Sequence, residues 1–296
     1  KLGHMLNKNT KEGSKKNICA HYDIGNDLFK LFLDPTMMYS SAYFKHDDMS
    51  LSQASIAKLD LICQKLQLDK EDHLLEIGSG WGGLAIHAAT HYGCRVTTTT
   101  ISDEQYVLAQ QLIMDAGLDD RITLLKQDYR DLTGTYTKLV SVEMIEAIGH
   151  QYMNTYFDKC SSLLADDGIM LLQAITIADQ YYESALKDVD FIKKFIFPGG
   201  FLPSVSTLCN SIATVTDMKL FHLQDIGPHY AKTLNAWRQR FFDNVNEIAK
   251  LGYPDEFVRL WDYYFCYCEG GFIERDIGTV QMLLTKQQCR IDSVRV

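Results

Sequence analysis

A chain of 296 residues with 46% hydrophobic and 23% charged side chains is long enough for one large α/β domain with insertions or two smaller domains, and five prolines exclude a linker-rich architecture. Its net charge of −9 excludes nucleic acid or an anionic bilayer as a partner of the overall field. No apolar stretch approaches the ~20 residues of a membrane span and no leader pattern opens the sequence, so the reading is a cytoplasmic protein that meets membranes only peripherally.

The charge is unevenly spread. Lys1, Lys8, Lys11, Lys15 and Lys16 against Glu12 give the arm at residues 1–17 a net +4 and leave −13 on the remainder. Such an arm reads as a solvated terminus, with contact to acidic lipid headgroups as the functional alternative. Residues 18–70 predict a helical cap, marked by Ile56, Leu59, Cys63 and Leu66 at helical spacing. An α/β domain follows over residues 71–290, where strand and helix patterns alternate. Leu74–Ile77, Arg95–Thr100, Ile122–Leu125, Lys138–Val142 and Ile169–Ala174 predict strands. Leu84–His91, Asp103–Ala116 behind a Ser102 cap, and Gln151–Leu164 predict helices between them. The alternation predicts a mostly parallel sheet with helices on both faces and a ligand crevice at the strands' carboxyl ends.

Residues 178–215 interrupt that pattern as an aromatic-rich cap insertion, and a helical segment spans about 230–268. Leu234, Trp237, Phe241, Val245 and Ile248 mark one stripe of a helix over 233–249, and Thr279–Thr285 predicts a closing strand. Eight cysteines show no C-x-x-C pair and no histidine at zinc spacing, so they read as small buried residues in a reducing compartment, with no metal site.

The strand ending in Glu76-Ile77 runs into Gly78-Ser79-Gly80-Trp81-Gly82-Gly83. Gly78 permits a tight turn, Gly80 lets the backbone approach a ligand, and the next helix offers free N–H donors. The spacing from Glu76 is E-x-G-x-G-x-G, unlike the G-x-G-x-x-G of dinucleotide enzymes, although Gly83 keeps a nicotinamide reading open. Where such a fold carries an acid for the ribose, this chain has Thr97–Ser102 and Gln105. Thr100, Ser102 and the Gln105 amide can hold a diol without added charge; as plain structure the run is a Thr-rich strand and a helix cap. Asp128 and Tyr129 offer a carboxylate for an adenine amino group, against the reading of a solvated acidic loop.

Eight segments then repeat a known order: His21–Asp27 (HYDIGND), Leu33–Phe44 (LDPTMMYSSAYF), the glycine loop, Thr100–Gln105, Gln127–Asp131, Ile196–Gly200, Leu202–Ser204 and Pro228–Tyr230. Together they resemble the cyclopropane fatty acid synthase family, which includes the mycolic acid cyclopropane synthases. The resemblance implies a Rossmann-like class I methyltransferase with a seven-stranded sheet and S-adenosylmethionine as cofactor. It implies that Tyr39 and Ser40 hold the methionine end of the cofactor with Gly78 and Gly80, Gln105 the ribose, and Asp128 with Tyr129 the adenine.

In that family the cis double bond of an acyl chain attacks the sulfonium methyl, and a bound bicarbonate takes a proton so that a cyclopropane ring closes. The resemblance implies Glu146 and Tyr230 as bicarbonate ligands, while Ser41 stands at the family's Cys and Gln173 at its His. Both replacements keep a donor; the second removes a titrating group. Phe191, Phe195, Phe197 and Phe201 are expected to line an acyl channel, or to be cap core. The expected enzyme is a cyclopropane synthase acting on unsaturated phospholipid acyl chains. A methyl-branched or methylene lipid, or a methylated amine, is the second outcome; a non-catalytic lipid-binding protein is the third. Homodimer formation stays open.

Overall fold

The computed structural model describes residues 24–294 together with Thr10 and Gly13, so the expectations for most of the basic arm, for Cys19 and for His21–Asp23 fall outside the described residues. Two helices precede the sheet, α1 (Asn26–Phe32) and α2 (Leu51–Leu66). Helix α2 begins where Ser50 accepts from the Gln53 N–H and the Gln53 side chain accepts from the Ser50 N–H, a reciprocal cap. Its inner face carries Leu59, Ile62, Cys63 and Leu66, and it also buries Lys58 and Lys65 completely.

Seven strands follow: β1 (His73–Ile77), β2 (Arg95–Thr100), β3 (Ile122–Lys126), β4 (Tyr136–Val142), β5 (Leu164–Ile177), β6 (Lys219–Asp225) and β7 (Ile277–Thr285). They form one sheet in the order β3-β2-β1-β4-β5-β7-β6, with β7 antiparallel to both its neighbours and the other pairs parallel. Helices α3 (Gly83–Tyr92), α4 (Asp103–Asp115) and α5 (Met153–Leu163) connect the parallel strands. The insertion holds α6 (Tyr182–Lys187), a π-helical turn (Ile192–Ile196) and α7 (Val205–Val215); α8 (Gly227–Asp243), α9 (Val245–Lys250) and α10 (Asp255–Ile273) lie between β6 and β7. The seven-stranded, mostly parallel α/β fold is the one expected. Strand order reverses between β1 and β4, which places the ligand crevice outside their carboxyl ends.

Three features depart from the sequence reading. Strand β6 was not expected, because an edge strand buries little of itself and Lys219–Asp225 shows no clean alternation. The expected helix over 233–249 breaks at Asn244, whose side-chain amide donates to the Arg240 and Leu31 carbonyls and so ends α8. Strand β5 begins at Leu164 and absorbs the Asp166-Asp167-Gly168 turn as a register irregularity between its pairings with Tyr136 and Lys138. The cysteines also divide: Cys63, Cys94 and Cys160 are buried, whereas Cys266 is exposed.

Over the crevice sits an aromatic cap in which α1, α8 and α10 interlock Phe29, Phe32, Trp237, Phe241, Trp261 and Phe265, all fully buried. Truncating one such ring to alanine costs about 3–5 kcal/mol, so this cluster is what holds the cap against the sheet.

Candidate active site

The glycine loop leaves β1 with Gly78, Gly80 and Gly82 at φ of 98°, 50° and 90°, the left-handed region that favours glycine. The Gly78 and Ser79 N–H groups both donate to the Thr99 carbonyl at 3.1 and 2.9 Å, tying the loop to β2. A Cβ on Gly80 would meet nothing within 4 Å, whereas one on Gly83 would lie 2.3 Å from the Thr36 carbonyl oxygen. Gly80 therefore faces open space, the approach a ligand needs. Gly83 is small for a different reason: the segment carrying Tyr39 and Ser40 crosses α3 there. Asn26 fixes the same loop from outside, accepting from the Trp81 indole at 2.6 Å and donating to Glu104 Oε2 at 3.1 Å.

The expected cofactor residues surround this loop, and several are engaged locally. Tyr39 and Tyr264 share a hydroxyl hydrogen bond of 3.0 Å, and Ser40 Oγ accepts from Lys58 Nζ at 3.0 Å. Glu76 accepts from Thr98 at 2.6 Å; burial pushes its pKa up to about 8 and pushes that of Lys58 down to about 8. Ser102 caps α4 by accepting from the Gln105 N–H at 3.2 Å. Thr100 donates to Gln105 Oε1 at 2.8 Å, so the end of Gln105 left for a ribose is its Nε2. Asp128 is gripped by Arg130 through Nε at 2.8 Å and Nη2 at 2.6 Å, a demand on the carboxylate that the sequence did not reveal. Tyr129 is buried next to it, over the core of the sheet.

Ser41, Gln173 and Tyr230 do converge, but on a carboxylate that sequence reasoning passed over. Glu143 follows directly on β4 with φ of 49°, a backbone state that costs a non-glycine residue free energy and that clusters at functional sites. Its Oε1 accepts from the Ser41 backbone N–H at 2.9 Å and from Gln173 Nε2 at 2.8 Å, and its Oε2 accepts from the Tyr230 hydroxyl at 2.7 Å. The Ser41 hydroxyl, expected to donate, instead donates to the Ala42 carbonyl at 3.1 Å. Glu146, expected among them, lies beside them: its Oε1 accepts from the Ile175 N–H at 2.6 Å, and its Oε2 is buried without a hydrogen-bond partner among the described residues.

Two carboxylates whose charges act on each other share that charge unequally. Burial raises both; three donors and the Lys58 ammonium counter it at Glu143, while the charge of Glu143 adds to it at Glu146 and takes that group up to about 8. The three donors favour the charged form of Glu143, whereas burial and its neighbour's charge favour the neutral form of Glu146. Bicarbonate does not fit the set assigned to it, because the donors of Ser41, Gln173 and Tyr230 are spent on the chain's own carboxylate and a second anion would sit against it.

The four phenylalanines divide too. Phe197 lies 6.4 Å from Tyr39 and 6.3 Å from Tyr264 by ring centroids, Phe201 is buried in the core under α5 and α7, and Phe195 is 52% exposed. Phe191 lies 5.5 Å from Phe195 by ring centroids and packs with Phe197 on the cap cluster, whereas Phe201 belongs to the core of the sheet.

A glycine loop after β1, a strand-order reversal beside it and a β7 antiparallel to its neighbours define a class I methyltransferase. The mycolic acid cyclopropane synthetase family profile matches residues 9–282, and the chain belongs to that family. It is 42% identical over 266 residues to cyclopropane-fatty-acyl-phospholipid synthase of Escherichia coli, covering 90% of this chain and 66% of the relative. It is 36% identical over 287 residues to tuberculostearic acid methyltransferase UfaA1 of Mycobacterium tuberculosis, covering 94% of this chain and 66% of that one. This chain thus spans just under two thirds of each of those relatives. The structure of mycolic acid cyclopropane synthase CmaA1 complexed with SAH and CTAB superposes with a TM-score of 0.86 at 33% identity, covering 92% of this chain and 98% of the other.

Proposed function

We propose that the chain transfers the methyl group of S-adenosylmethionine to the cis double bond of an unsaturated phospholipid acyl chain, with Glu143 as the base, and that the product is a cyclopropane ring. The observation that carries this reading is the buried, triply hydrogen-bonded Glu143 carboxylate at the carboxyl end of β4, beside the glycine loop. When bound, the cofactor supplies an electrophilic methyl carbon. Tyr39, Ser40, Gly78, Gly80 and Gln105 would hold it, with Asp128 and Tyr129 at the far end of the crevice.

The alkene π pair forms the new C–C bond as the C–S bond breaks, leaving a carbocation on the acyl chain. Glu143 stabilises that charge in a site of low dielectric and then accepts a proton from the transferred methyl, whose C–H pair closes the ring. Glu146 keeps its own proton and so adds no competing charge. A 1,2-hydride shift that moves the cation to the methyl-bearing carbon, followed by proton loss from the transferred methyl, instead leaves a methylene group, which a separate hydride donor and a proton would reduce to a methyl branch. The similarity to a tuberculostearic acid methyltransferase over 94% of this chain favours that second outcome.

Contact with a bilayer is supported by an exposed patch in which Phe195, Tyr263 and Tyr267 gather around Phe191, with the Lys194 ammonium 4.8 Å from the Phe195 ring centroid. Aromatic rings beside cationic heads suit the membrane interface. No helix among the described residues is long and apolar enough to cross a membrane. The test is expression in a host without cyclopropane lipids, followed by mass spectrometry and proton NMR of its lipids. Ring formation adds one CH₂ per acyl chain with upfield ring protons; a CH₂ gain with vinylidene protons selects the methylene product; unchanged lipids remove the proposal.

A further inference from the structure

Behind Gln173 lies a run of polar side chains that the reaction itself does not need. Gln173, Gln281 and Gln224 are register partners on three neighbouring strands, β5, β7 and β6. Gln173 and Gln281 are fully buried in the middle of a sheet whose neighbouring inward positions, Leu171 and Leu283, are aliphatic. Burying amides there is costly unless every polar atom is paired. Lys65, fully buried on α2, pairs them: its Nζ donates to Gln281 Oε1 at 2.8 Å and to Gln224 Oε1, Gln281 Nε2 donates to Gln173 Oε1 at 2.9 Å, and Gln173 Nε2 donates to Glu143 Oε1 at 2.8 Å.

We infer that Lys65 and Gln281 are positioning residues, which lock the Gln173 amide with its N–H toward Glu143 and so keep that carboxylate ionised and aimed. An amide presents a donor or an acceptor according to which way it is turned. Here the direction is imposed from both ends. An ammonium only donates and a carboxylate only accepts, so two amides in series between them have one arrangement in which all contacts are satisfied. Were Gln173 to turn over, its carbonyl oxygen would face Glu143, which would then be stable only when protonated.

Other groups also act on Glu143: Lys58 from α2, Glu146 from the turn after β4, Tyr230 from α8 and Tyr264 from α10. Among the described residues Gln281 hydrogen-bonds Lys65 and Gln173 and none of these groups, so a change there reports on the relay. Among the described residues Lys65 hydrogen-bonds two amides and no carboxylate, and burial pushes its pKa down to about 8, which leaves it mainly charged at neutral pH.

This inference rests on Glu143 being the base, and the experiment separates the two. The purified chain is assayed on vesicles of cis-unsaturated phospholipid across a pH series, as the parent and as Gln281→Met, Gln281→Glu, Lys65→Met and Glu143→Gln. Gln281→Met changes no charge but frees Gln173 to turn. Gln281→Glu keeps the Lys65 contact yet accepts only, which forces the turn. Expected is a kcat lower by about tenfold or more in Gln281→Glu, the scale of one hydrogen bond to a buried charge, with KM for S-adenosylmethionine unchanged. The acid limb of the kcat profile should move to higher pH in the order parent, Gln281→Met, Gln281→Glu, with Lys65→Met displaced in the same direction. If Glu143→Gln inactivates while Gln281→Glu keeps the parent's rate and acid limb, the relay is overturned and the base stands. If Glu143→Gln retains full rate, the base assignment fails and the relay fails with it.

Discussion

Glu143 combines a left-handed backbone and a desolvated carboxylate, each with a free-energy cost, with three donors that offset the second. Glu143→Gln keeps the shape and removes the charge. Its kcat should fall by roughly 100-fold or more while calorimetric affinity for S-adenosylhomocysteine stays near the parent's, the pattern of a contact needed mainly in the transition state. Its neighbour behaves oppositely. Glu146 titrates at about 8 in the folded chain against an ordinary value of 4.5, so between those values the folded chain holds a proton that the unfolded chain has released. Stability from this group is complete below the lower value, falls as pH rises through the window and levels off above the higher one. Glu146→Gln removes that slope, so its melting temperature should gain on the parent's between about pH 5 and about pH 8. A constant difference across that range would show that Glu146 does not carry the proton. Little of this was legible in the sequence. Val142-Glu143-Met144-Ile145-Glu146 offers two carboxylates at one strand end, and the choice between them is made by Gln173, thirty residues away and across a strand pair.

At the scale of elements the sequence was more readable, because strands and helices that bury one face must declare it in their spacing. The five parallel strands, the Ser102 cap of α4 and the closing strand fall where glycine, aspartate and apolar runs place them. Lys58 and Lys65 were not legible: seven residues apart on α2, they point inward with Leu61 and Ile62, where a charge pattern alone suggests a solvated face. Gly83 shows how tertiary packing overrules local preference. In a helix, Gly→Ala ordinarily gains about 0.5–1 kcal/mol. Here the new methyl would press on the Thr36 carbonyl at 2.3 Å and shift the segment that carries Tyr39 and Ser40. Gly83→Ala should therefore lower the melting temperature and weaken S-adenosylhomocysteine binding by about tenfold, on the scale of one lost polar contact. An unchanged binding isotherm would detach that segment from the cofactor site.

Across the whole molecule, a sheet that reverses order between β1 and β4 opens a crevice, and the aromatic cap of α1, α8 and α10 closes over it. Phe195, Tyr263 and Tyr267 stay exposed outside that closed cap. On the proposed reading, Glu143 takes the part of the bound anion that the family resemblance implied. The most direct test is the rate of product formation by the purified chain on cis-unsaturated phospholipid vesicles in rigorously carbonate-free buffer, before and after bicarbonate is added. With Glu143 as the base, the two rates are equal and Glu143→Gln is inactive in both. Turnover that vanishes without bicarbonate and returns with it, in the parent chain, would contradict that assignment.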